Sequence, residues 1–254
     1  MPSFNCVSRI APVALAVAFV ASPAPAQTVQ RPAVRDLARE LACGPAVSLT
    51  SALPTLRIVG GKDLRRTLFA PGDPVVINGG SAQGVKAGQD YFVRRLVADR
   101  FVTPMTDGTK PKSIHTAGWI HILEVGNDSA IATVTQACDG VIEGDYIEPF
   151  ALPALPSSPS AGEPDYANPG HVMLADDRRQ IGGAGSLMVL DRGSDHGLRS
   201  GQALTIFRPT AENGGPVFRI ARATAVVIGA ETSLIRIDDS SDAINVGDLV
   251  AIHR

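Results

Sequence analysis

The sequence predicts a mainly β protein in which two tandem small antiparallel β-barrel-like modules follow a short N-terminal helix. Three observations carry this expectation. Residues 80–89 and 193–202 match without a gap, each match is followed by strand-type runs in the same order, and a Pro/Ser-rich stretch separates the two copies. Composition sets the outer limits. An apolar content of 44% is too high for wholesale disorder. Lys plus Arg at 23 against Asp plus Glu at 25 gives a formal net charge of −2, which offers no electrostatic footprint for nucleic acid or an anionic membrane surface.

Residues 1–26 read as a signal peptide. Arg9 is the one charged residue before an apolar run from Ile10 to Ala21 that is too short to span a bilayer, and Ala24-Pro25-Ala26 supplies a small-x-small cleavage pattern. Cleavage after Ala26 makes Gln27 the mature N-terminus and leaves no membrane span; an uncleaved anchor would need roughly 20 apolar residues. Leu41-Ala42-Cys43 looks like the end of a lipobox, but the charged residues Arg35, Asp36, Arg39 and Glu40 stand where a signal core would have to be. The expected location is therefore periplasmic or secreted. Export removes Cys6 and leaves Cys43 and Cys138, an even pair that points to one disulfide, with two buried free thiols as the alternative.

Residues 27–72 are expected to hold a helix and an extended segment. Val34, Leu37, Ala38 and Leu41 recur at helical spacing, Pro32 suits the first turn, and Gly44-Pro45 ends the pattern.

The first module is placed at residues 73–150 and the second at 171–254. Gly80-Ser81-Ala82-Gln83-Gly84-Val85-Lys86-Ala87-Gly88-Gln89 aligns with Gly193-Ser194-Asp195-His196-Gly197-Leu198-Arg199-Ser200-Gly201-Gln202, and each leads into a β-run that ends in arginine, at Arg95 and Arg208. Both copies close alike, on Gly144-Asp145 and Gly247-Asp248. The order in each copy is strand, Gly-Ser turn, short apolar link, Gly turn, strand, variable loop, hairpin and a final Gly-Asp strand. About five or six such strands, curled into a barrel or tight sandwich, would close most edges. The structural turn residues are thus Gly80, Ser81, Gly84, Gly88, Gly144 and Asp145 in one copy, and Gly193, Ser194, Gly197, Gly201, Gly247 and Asp248 in the other. Residues 151–170, with Pro153, Pro156, Pro159, Pro164 and Pro169, are expected to be a semi-extended linker without a ladder.

Several strings look catalytic and fail on chemistry. Arg57-Ile58-Val59-Gly60-Gly61 and Asn213-Gly214-Gly215-Pro216-Val217 are similar to segments of chymotrypsin-like proteases, but an asparagine stands where the nucleophilic serine is needed. Ser194, Asp195 and His196 are the three residue types of a hydrolase triad, yet neighbours in one turn cannot adopt its in-line geometry. The histidines at 115, 121, 171, 196 and 253 lack zinc-site spacing, and Gly182-Gly183-Ala184-Gly185 leads into a strand instead of a phosphate-binding helix. No motif calls for a cofactor or metal. Trp119 falls in a β-period where a core role is the default.

The frame Gly-Ser-x-x-Gly-(Val/Leu)-(Lys/Arg)-x-Gly-Gln, with its β-run, hairpin and Gly-Asp strand over residues 73–150 and 183–253, resembles the small β modules at the C-terminus of the flagellar assembly protein T. It is also similar to modules that accompany peptidoglycan-binding repeats in bacterial envelope proteins. The resemblance implies an exported, noncatalytic scaffold or interaction module with an envelope protein as partner. The competing expectations are an envelope hydrolase with an unrecognised site and a glycan or peptidoglycan binder.

Overall fold

A computed structural model describes residues 34–49, 54–97, 102–105, 108–156, 162–175, 179–210 and 215–254. The expected signal peptide, its cleavage site and Asn213 lie outside these residues. Among the described residues the fold is mainly β with one α-helix. Helix α1 (Val34–Cys43) is followed by β1 (Ala46–Ser48), β2 (Ile58–Gly61), β3 (Leu68–Phe69), β4 (Pro74–Ile77), β5 (Asp90–Val97), β6 (Lys112–Val125), β7 (Ala130–Ala137), β8 (Val141–Ile142) and β9 (Tyr146–Pro149). The second half comprises β10 (Pro164–Ala175), β11 (Ile181–Gly182), β12 (Leu187–Leu190), β13 (Ala203–Pro209), β14 (Val217–Ile228), β15 (Ser233–Ser240), β16 (Ile244–Asn245) and β17 (Leu249–His253).

The second half is a closed antiparallel barrel in the order β10-β12-β15-β14-β13-β17. The first half is a sheet in the order β2-β4-β7-β6-β5-β9, with β1 added alongside β6. The two orders correspond strand for strand, and so do the registers. Val76 faces Ile131 as Val189 faces Leu234, and Val93 faces Ile147 as Ile206 faces Val250. Bulges fall at matching places, between Ile58 and Gly60 as between Val172 and Leu174, and between Ile122 and Glu124 as between Ala225 and Val227. A bulge inserts a residue and increases local twist, and it does so at the same places in both halves. The barrel is sealed where His171 pairs with Leu249, and an isolated bridge between Arg57 and Tyr146 occupies the corresponding place in the first half.

Two expectations about boundaries change. Residues 58–61, assigned to the N-terminal segment, form the first strand of the first sheet. Residues 164–170, assigned to the linker, open the first strand of the barrel, where Pro164 pairs with His253. Proline enters this ladder because Glu163 and Arg254 exchange both backbone bonds, at 3.1 and 3.0 Å, which makes Pro164 and His253 a non-hydrogen-bonded pair in which the missing N–H costs nothing.

The interiors are apolar and separate. Val172, Met188, Leu190, Ile206, Ile235 and Val250 fill the barrel, and Ile58, Val75, Ile77, Ile120, Ile122 and Ile147 fill the first sheet's inner face.

Candidate functional site

The duplicated turn frame is built twice from the same backbone bonds. In the first half the Ser81 amide donates to the Gly126 carbonyl at 2.9 Å and the Ala82 amide to Asn127 at 3.1 Å; in the second, Ser194 donates to Gly229 at 2.9 Å and Asp195 to Ala230 at 3.0 Å. A short 3₁₀ turn therefore plugs onto the hairpin loop at one end of each half. Glycine is required at the plug for two reasons. A Cβ on Gly80 or Gly193 would lie 2.3 Å from a carbonyl oxygen of that loop, and Gly84 and Gly197 adopt φ of +82° and +78°. Gly88 and Gly201 also have positive φ, as do Gly144 and Gly247.

Beside the closing strand, each frame holds an ion pair. Arg95 Nε donates to Asp145 Oδ1 at 2.7 Å and Nη2 to Oδ2 at 2.9 Å. Arg208 makes the same fork to Asp248, at 2.7 Å on both oxygens. Each carboxylate also accepts a backbone amide, from Ile142 at 2.9 Å and from Asn245 at 2.7 Å. The fork raises the guanidinium pKa of Arg95 and of Arg208, chiefly through the hydrogen bond to the aspartate. Tyr146, at the first half's seam, is raised by burial.

Ser194 should contribute little. Its Oγ lies 3.4 Å from Asp195 Oδ1 and the pair is exposed, while His196 Nδ1 accepts from the Gly193 amide at 3.2 Å. The three side chains serve the turn and do not form a relay. Ser194→Ala is therefore expected to change stability by a few tenths of a kcal/mol, whereas Gly197→Val should cost about 1–2 kcal/mol because a β-branched residue is strained at positive φ. Thermal melts of both variants check this; a triad would reverse the pattern.

Helix α1 sits between the halves. Leu41 is buried in a cluster with Met173, Val189, Val226 and Leu234 on the barrel's outer face, and Ala42 is buried against Phe92 and Trp119 of the first sheet. Phe92, Trp119 and Phe150 form an aromatic group with centroids 4.7 to 6.0 Å apart, so Trp119 is a packing residue here. The Cys43–Cys138 disulfide fastens the helix end to the residue just beyond β7. A mostly apolar cleft of about 290 Å³ opens where the helix, Phe92, Arg94, Val189 and Leu234 meet.

Paired histidines were not legible in the sequence. His171 Nδ1 lies 3.0 Å from the carboxylate of fully buried Asp191, and His121 Nδ1 lies 2.8 Å from Asp90. Asp191 corresponds to Asn78. Asn78 Oδ1 accepts the Arg57 amide at 2.6 Å as Asp191 Oδ1 accepts the His171 amide at 2.6 Å. The shared role is to fasten the first strand of each half. His253 Nε2 lies 2.8 Å from Thr205 Oγ1, linking β17 to β13.

Among the described residues, no helix is long and apolar enough to cross a membrane. No protein-family model matches the chain, and no curated protein matches it.

Proposed function

We propose that the chain is a noncatalytic, exported envelope scaffold built from two tandem β-barrel-like modules that works by protein contacts. The observation that carries this reading is a duplicated exposed apolar residue. Leu68 on the short ribbon β3-β8 and Ile181 on β11-β16 occupy corresponding places and are 59% and 55% exposed. Large apolar side chains held at matching surface positions suit contact with another protein. The recurring polar residues support it too, because the Arg–Asp forks and glycine turns spend their bonding capacity inside the frame. The disulfide fits an oxidising compartment, and the Arg57–Tyr146 bridge supports a barrel-like first half.

Crosslinked pull-down from the native envelope tests the reading. A discrete protein partner lost when Leu68 and Ile181 are both changed to aspartate is expected. Recovery of no partner, or a hydrolytic activity copurifying with the pure chain, would contradict it.

A further inference from the structure

The outer faces of the two halves correspond in register but differ in what covers them. On the barrel, Met173, Val189, Val226 and Leu234 are buried in one cluster with Leu41 of α1 and with Val102, and Leu37 of the helix packs against it. The matched pairings and bulges place Val59, Val76, Leu123 and Ile131 at the corresponding positions of the first sheet. These four residues are also aliphatic, yet Val59 is 46% exposed, Leu123 49% and Ile131 41%, while Val76 is half-buried. The solvent face of an antiparallel strand ordinarily alternates to polar residues. A cluster of four aliphatic side chains there is the composition of a covered face.

We propose that this face of the first sheet docks an amphipathic helix of a partner protein presenting two leucines one turn apart, as Leu37 and Leu41 are presented to the equivalent face of the barrel. The proposal rests on the interaction-scaffold reading and adds to Leu68 and Ile181 a further surface with its own partner class. Three features favour a helix. The bulges that shape the face accepting α1 on the barrel recur at the matching places here. Gly60 stands where the barrel has Leu174, and the space where its Cβ would lie is open, so no side chain of the sheet blocks an incoming one there. Exposed Glu124 replaces Val227 at the rim, which suits a basic residue flanking the partner's leucines. The chain's own α1 cannot serve, because Leu41 is already buried on the barrel and Cys43 is tethered to Cys138.

The probe is a helix-stapled peptide of the α1 sequence, residues 32–43 carrying Cys43→Ser, titrated into the full mature protein; stapling is needed because so short a helix is marginal in water. Saturable one-to-one binding with NMR shifts at Val59, Leu123 and Ile131 is expected. Ile131→Asp and Leu123→Asp should each weaken it at least about tenfold, since a docked helix would bury an unpaired charge, while both variants keep the wild-type melting temperature within a few degrees. A photo-crosslinker at position 123, used in the native envelope, should trap a helix bearing a leucine pair. No peptide binding at millimolar concentration, affinity unchanged in both variants, or an adduct to a loop, a strand or a second copy of this chain would overturn the proposal. A partner in the pull-down combined with no adduct at position 123 leaves the scaffold reading standing and removes this face; failure of both removes both.

Discussion

Arg208→Ala should destabilise the second half by about 3–5 kcal/mol, and Arg95→Ala the first half by a similar amount. The size follows from what the truncation leaves behind. The side chain of Asp145 is 1% exposed and that of Asp248 is 8% exposed, and each binds its arginine through both oxygens. Without the guanidinium, a buried carboxylate keeps one backbone donor and loses its counter-charge. Lysine should not rescue either site, because an ammonium cannot reproduce the planar two-point fork. Removing both partners, as in Arg208→Met with Asp248→Asn, should cost less than Arg208→Ala alone, since no uncompensated charge remains. Urea unfolding monitored separately in the two halves would measure this. Equal, sub-kilocalorie losses for all variants would mean that the forks are surface decoration.

Replacing both Cys43 and Cys138 by serine should lower stability by as much as about 4.7 kcal/mol, the chain-entropy value for a closed loop of roughly a hundred residues. The cysteines are 95 residues apart in sequence. The bridge holds the end of α1 against the first sheet, while Leu41 reaches the barrel's outer face from the same helix. Its loss should therefore also loosen the cleft between the halves. Denaturation of the double variant beside oxidised wild type gives the loss directly, and dithiothreitol should move wild type to the variant's curve. If neither treatment shifts the midpoint, the helix is held by packing alone.

The features legible in the sequence were those fixed by local backbone demands. Gly84 and Gly197 recur because the turn needs positive φ, and that requirement repeats at constant spacing along the chain. The disulfide was legible because the expected signal cleavage would remove Cys6 and leave a single pair. Contacts across long loops were not. Arg95 and Arg208 were read as strand ends, and Gly144-Asp145 and Gly247-Asp248 as strand starts. The forks joining them span 50 and 40 residues, a distance over which no periodicity speaks. The strand at 58–61 was detached from its module because 12 residues separate it from β4 and only the pairing of Ile58, Gly60 and Gly61 with Ile77, Val76 and Val75 reunites them. Pro164 misled for a physical reason, since proline argues against a ladder except where its nitrogen faces no partner strand, as it does here. The open aliphatic face could not be found from sequence at all, because Val59, Leu123 and Ile131 lie on three different strands.

Amide hydrogen exchange, resolved by residue, tests most directly whether one module has been built twice. The Ile58 amide donates to Asp145 and the Ile147 amide to Leu56, both at 2.9 Å, across the seam of the first half; Val172 donates to Asp248 at 2.9 Å across the seam of the barrel. Two equivalent barrel-like modules predict slow exchange at Ile58, Ile147 and Val172 alike, and matched protection at Ser81 and Ser194. Rapid exchange at Ile58 and Ile147 beside a protected Val172 would contradict the account, because the first half would then be an open sheet.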